Sequence, residues 1–178
     1  MLKALFLTVL SIGVFAAYML TSSHAEPLPQ GAPAPTAAVQ DQDGKDFDLA
    51  AAYKKGITLV YFYPKADTPG CTRQACSLRD EYSKITEAGV RILGVSMDKP
   101  EAQKAFKEKY KLPFTLLADP EGKLVKGFGV PMARIGTFSQ RQSFLVKDGH
   151  IVWSDPEVNP ATHTSKLLEA VAKIKAGS

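Results

Sequence analysis

Residues Ile57 to Tyr63 (ITLVYFY) form a near-continuous run of β-branched and aromatic side chains. A strand with one wet face alternates apolar and polar residues, so a run without that alternation suits a strand covered on both faces. A second such run, Val90 to Met97 (VRILGVSM), follows after a segment of helical periodicity. Two doubly covered strands joined by a helix require helices on both sides of a sheet. With 178 residues, the chain has room for one domain with a proper core but not for two comfortable ones.

The remaining elements fit that frame. Asp41-Gln42-Asp43-Gly44-Lys45 is a turn signature between two short predicted strands, Ala37–Gln40 and Asp46–Leu49. A helix is predicted from about Thr68–Cys71 to Ala88, closed by Gly89, with Cys71, Ala75, Leu78, Tyr82 and Ile85 on one stripe. Pro100 to Tyr110 reads as a helix from its leading proline and the spacing of Ala102, Ala105 and Phe106. Phe114 to Leu117 is a short strand, and the glycines of 124–139 predict an irregular stretch with room for a short helix. Asp148-Gly149 marks a hairpin between Ser143–Lys147 and His150–Ser154, and a last helix is predicted over Pro160 to Lys175 behind an Asn159 cap. The sum is an α/β, thioredoxin-like layout, a central mixed sheet flanked by helices. Trp153, Met97, Met132, Tyr82 and Phe144 read as packing residues, and Phe62 and Tyr63 as strand residues that also wall a pocket.

The first 25 residues differ from the rest. Met1-Leu2-Lys3 opens positively, Ala4 to Leu20 carries no charge, and Ser23-His24-Ala25 offers small residues around a cleavage point. This reads as a secretory signal peptide, or as an anchor if it is retained, since 17 apolar residues reach the lower limit of a membrane span. Either way the folded part is expected to be exported, in a periplasmic setting. Residues 26–35 form a Pro/Ala-rich lead-in, and 36–178 the domain. The formal charge of +4 is spread over scattered lysines without a basic stripe, which excludes a nucleic-acid role.

Cys71 and Cys76 are the only cysteines. A structural disulfide between them would close a loop of a few residues and restrain the unfolded chain little. Cys71 falls in the first helical turn, where free backbone N–H groups and the helix dipole favour thiolate over thiol. Ionisation alone has a ceiling. An ordinary thiol of pKa ~8.5 is already about 3% thiolate at pH 7, so full ionisation adds only about thirtyfold. Fast attack on a peroxide also needs donors aimed at the breaking O–O bond.

Pro64-x-x-x-Thr68-x-x-Cys71 resembles the active-site motif of peroxiredoxins, and the longer FYPKADTPGCTRQACSLRD is similar to the peroxiredoxin Q, or bacterioferritin-comigratory-protein, subfamily. The resemblance runs from about Gly31 to the C-terminus and includes GVSMD (94–98), KYKLPFTLLADPEGK (109–123) and Arg141-x-Ser143-Phe144-Leu145-Val146. It implies a thiol-dependent peroxidase acting on hydrogen peroxide and organic hydroperoxides, without cofactor or metal. Cys71 would be the peroxidatic cysteine, Cys76 the resolving one, and Thr68 a hydroxyl facing the substrate oxygens. Pro64 would shield the pocket, and Arg141 would support thiolate and peroxide. A thioredoxin-like dithiol would recycle the enzyme, which has no chemical need to be more than a monomer.

On an intact helix five residues advance ~7.5 Å and rotate ~140°, so Cys71 and Cys76 pair only if the first turns unwind. Two positions depart from the subfamily pattern. Glu101-Ala102-Gln103-Lys104 stands where many members carry Ser-His, and Ser143 where threonine is common. The alternatives are a thiol–disulfide oxidoreductase, whose Cys-x-x-Cys is missing, and a thioredoxin-fold copper chaperone, for which His150 and His163 are the candidate ligands beside the cysteines.

Overall fold

The computed structural model describes residues 26–133 and 137–177, so the leader lies outside the described residues. Seven strands form one sheet in the order β2-β1-β5-β4-β3-β6-β7. They are β1 Val39–Asp41, β2 Asp46–Phe47, β3 Ile57–Phe62, β4 Val90–Ser96, β5 Thr115–Ala118, β6 Gln142–Lys147 and β7 His150–Asp155. β3 pairs in parallel with β4, and β4 with β5, while β6 and β7 run antiparallel, which makes the sheet mixed. All six residues of β3 are buried, as its unbroken apolar run requires.

Alternation along β3 builds two cores. Leu59 and Tyr61 face one, with Cys71, Ala75, Leu78, Ile85, Phe106 and Leu167. Val60 and Phe62 face the other, with Leu49, Tyr53, Leu124, Phe128 and Phe144. Phe62 therefore does not wall the pocket of Cys71, whereas Tyr63 joins the Cys71 cluster. Gly94 on β4 leaves the space that Tyr61 fills, since a Cβ there would lie 2.8 Å from the Tyr61 ring and from Leu116.

The helices are α1 Leu49–Tyr53, α2 Pro69–Asp80, α3 Tyr82–Glu87, α4 Pro100–Tyr110, α5 Lys123–Gly127 and α6 His163–Ala176. Five differ from the sequence reading. The second predicted strand ends at Phe47 because Asp48 caps α1, its carboxylate accepting from Ala51 N at 2.9 Å. The helix predicted over 68–88 is two, bent at Glu81 (φ −102°, ψ 14°), so that Tyr82 and Ile85 of α3 still reach the core. On α4 the inward residues are Gln103 and Phe106, while Ala102 and Ala105 are exposed. Asn159 makes a turn, accepting from Ala161 N at 2.9 Å, and α6 starts only at His163. Met132 is exposed rather than packed. The hairpin turn is as read: Asp148 and Gly149 both take positive φ (51° and 79°), the conformation a two-residue turn needs.

The lead-in lies along β7. Gly31 N donates to Ile151 O (2.7 Å), Ile151 N to Ala32 O (2.9 Å) and Ala34 N to Gly149 O (2.8 Å). Among the described residues no helix is long and apolar enough to cross a membrane.

Candidate functional site

Pro69 begins α2 and Thr68 caps it with extended backbone (φ −91°, ψ 152°) but no side-chain capping bond. Because the helix starts at Pro69, the first-turn amides of Gly70 and Cys71 have no helical carbonyl four residues back and point out of the helix start. Cys71 sits in that turn, 1% exposed, with its thiol free, and Cys76 lies further along α2, free and partly exposed. Arg141, just before β6, donates from Nη2 to Cys71 Sγ at 3.4 Å and from Nη1 to Gln74 Oε1 at 2.5 Å. Gly70 leaves room for this approach, because a Cβ there would make a tight 3.3 Å contact with Arg141 Nη2. A guanidinium and a helix N-terminus thus converge on one sulfur.

The loop before α2 is tied down on both sides. Ala66 N donates to Asp98 Oδ2 (2.7 Å), which also accepts from Ser96 Oγ (2.7 Å). Asp67, at φ 59°, accepts from Lys109 Nζ (2.7 Å) and from Tyr110 Oη (2.5 Å). Thr68 Oγ1 donates to Lys65 O at 3.0 Å, so its proton is engaged and its lone pairs remain. Pro64 and Arg141 line a depression of about 600 Å³, with Ala133, Ser139, Val158 and Asn159 around it. Neither cysteine lines that depression, and neither lines a comparable groove of about 580 Å³ between β7 and α6.

Sequence reasoning placed Cys71, Arg141, Thr68 and Pro64, and the fold brings them to one end of α2. It missed Gln74, which holds Arg141, and it read His163 only as a metal candidate. His163 is buried, with Nδ1 3.1 Å from Gln74 Nε2 and Nε2 2.9 Å from Ser143 Oγ. His150 is exposed on β7 and bonds Asp148 O. Both nitrogens of His163 are occupied by polar neighbours, which removes the basis for a copper site there.

Burial lowers the His163 pKa from 6.5 to about 4, with Arg141 and Lys166 pushing the same way and Asp155 opposing. The ring is therefore neutral at neutral pH. Its stabilising share is fully present above ~6.5 and is lost as pH falls toward about 4, where the unfolded chain binds a proton that the folded ring refuses. Urea denaturation at both pH values should show wild type losing about 3 kcal/mol more than His163→Asn. Parallel losses would mean that the ring is not buried in its neutral form.

Comparison with known proteins adds a lineage to this geometry. The AhpC/TSA family matches residues 30–154. A chloroplastic peroxiredoxin Q of Populus jackii is 41% identical over 147 residues, covering 80% of this chain and 68% of that protein. Among solved structures, peroxidoxin BcpB from Mycobacterium tuberculosis superposes with a TM-score of 0.76 at 28% identity, covering 83% of this chain and 98% of its own. Peroxiredoxin Q of Xanthomonas campestris gives 0.70 at 27% identity, covering 77% and 90%. The expectation of periplasmic export is corrected by these relatives: the peroxiredoxin Q proteins of Populus jackii, Oryza sativa and Sedum lineare are chloroplastic, not periplasmic.

Proposed function

Given that the chain belongs to the AhpC/TSA family, as a thiol-dependent peroxidase of the peroxiredoxin Q kind with a thioredoxin-like fold, we propose that Cys71 is its peroxidatic thiol and Cys76 its resolving one. The observation that carries this is the Arg141 guanidinium hydrogen-bonded to a sulfur in the first turn of α2.

The Cys71 thiolate attacks the terminal oxygen of a hydroperoxide. An S–O bond forms, the O–O bond breaks, and the departing oxygen leaves as alcohol or water after taking a proton. Charge develops on the two peroxide oxygens as they separate, and the open amides of Gly70 and Cys71 with the Arg141 fork are the donors that meet it. Thr68, its own proton given to Lys65 O, accepts from the protonated oxygen of the incoming substrate. Pro64 screens the sulfur from water. The sulfenic acid on Cys71 is then attacked by Cys76, forming a disulfide and releasing water.

Both cysteines lie on one wound helix, so resolution requires the first turns of α2 to unwind. A thioredoxin-like dithiol returns both thiols to the reduced state. Because both thiols belong to one chain, the cycle closes in a monomer. The bacterioferritin comigratory protein of Xanthomonas campestris, 25% identical, is described as reducing alkyl peroxides, which supports organic hydroperoxides beside hydrogen peroxide as substrates. Non-reducing mass spectrometry after one equivalent of peroxide should find an intramolecular Cys71–Cys76 bridge. Finding only Cys71–Cys71 dimers would remove Cys76 from its role.

A further inference from the structure

His163 takes no part in the cycle above, yet it belongs to a line of side chains, from Ser143 through His163 and Gln74 to the part-buried Arg141, that leads to the reactive sulfur. The directions of its hydrogen bonds follow from chemistry. Arg141 Nη1 donates to Gln74 Oε1, so the Gln74 amide presents Nε2 to the imidazole. The ring must then accept at Nδ1, which leaves its proton on Nε2, donated to Ser143 Oγ. Gln74 and His163 are both fully buried, so a mismatch anywhere along the line strands a donor or acceptor away from water.

The same contacts cross from α2 to α6. Beside the Gln74–His163 bond, Ser77 Oγ and Thr164 Oγ1 lie 2.8 Å apart. Gln74 lies between Cys71 and Cys76 in the chain. Unwinding that carries Cys76 toward Cys71 therefore breaks the hold of Gln74 on Arg141 and on His163 together.

We propose that His163 is a positioning residue which, through Gln74, both aims Arg141 at Cys71 and latches α2 in its wound form against α6. It thereby sets the balance between attack on peroxide and resolution by Cys76. This rests on the roles given above to the two cysteines. A tighter latch favours the first step and prolongs the sulfenic acid. A looser one weakens the first step and hastens the disulfide.

The test is single-turnover kinetics on the reduced full chain with hydrogen peroxide, following loss of the free thiol and formation of the disulfide separately. His163→Leu keeps bulk but removes both ring nitrogens. It should slow Cys71 oxidation about three- to tenfold and speed disulfide formation by a similar factor. Sulfinic acid at excess peroxide should fall accordingly. His163→Asn retains an acceptor near the place of Nδ1 and should return both rates toward wild type. Gln74→Met cuts the link from α2 and should give the same opposed pair of changes, which keeps the test decisive if His163→Leu does not fold. Unchanged rates, or two rates that fall together with the melting temperature, would overturn the latch and leave His163 a packing residue. A wild-type chain that fails to consume peroxide would instead overturn the Cys71 assignment, and the same traces show it.

Discussion

Cys71→Ser should lower peroxidase kcat/KM by ~10⁴ or more, while Cys76→Ser should leave the first oxidation intact and stop the cycle after it. The first effect is large because everything around the sulfur serves a thiolate. A serine hydroxyl at neutral pH remains protonated, and the amides of Gly70 and Cys71 and the Arg141 fork stabilise charge that never forms. The substitution is close in volume, so the fold around α2 should survive it. Cys76 is further along the helix, and the Arg141 fork bonds Gln74 and Cys71, so the loss of Cys76 spares the attack on peroxide. The sulfenic acid then has no partner within the chain and climbs toward sulfinic acid with further peroxide. Peroxide consumption with excess dithiol, compared with single-turnover thiol loss, separates the two variants. A Cys71→Ser chain retaining a tenth of wild-type activity would place the nucleophile elsewhere.

The chain announces the site more clearly than its support, and the reason is physical. Cys71, Thr68 and Pro64 are local: a strand, a turn and a helix start put them together through consecutive sequence. Arg141 is distant and was legible only through the family motif, because an arginine before a strand is ordinarily a solvated charge. Gln74 and His163 were not legible as a unit. A glutamine in mid-helix carries no sign of its burial, and its partner stands 89 positions away on a helix that starts at His163 rather than at Pro160 behind an Asn159 cap.

The helix break at Glu81 was hidden because the apolar stripe continues through it from Leu78 to Ile85. Gln103 is a similar case. It lies in the stretch Glu101-Ala102-Gln103-Lys104, where the resemblance leads one to expect a Ser-His pair, and it is buried on α4 where the spacing had pointed to Ala102 and Ala105. It stays buried because its amide donates to Ser96 Oγ (2.8 Å) and Leu117 O (2.9 Å) and accepts from Tyr63 Oη, which satisfies it fully. Periodicity counts apolar residues, so a polar residue buried by its partners escapes it. Ser143, the other departure, is where the His163 Nε2 proton goes, a role that threonine would also fill.

Arg141→Met should slow oxidation of Cys71 by ~10²–10³, and Arg141→Lys should recover only about a tenth of the lost rate. The guanidinium makes two bonds in different directions from one plane, Nη1 to Gln74 and Nη2 to the sulfur. An ammonium is a single point: placed on the sulfur it leaves Gln74 Oε1 buried and unpaired, and placed on Gln74 it withdraws charge from the reacting oxygens. The anchoring bond therefore matters as much as the charge, and the lysine variant tests this because it keeps the charge and loses the fork. Methionine keeps neither, so the first-turn amides act alone. Stopped-flow measurement of thiol loss across a range of peroxide concentrations should show the deficit in the second-order rate constant, with the melting temperature nearly unchanged. A lysine variant as fast as wild type would mean that charge near Cys71 suffices and that the Gln74 anchor is dispensable. The latch assigned to His163 would then lose its connection to the first step, and only its hold on α2 would remain.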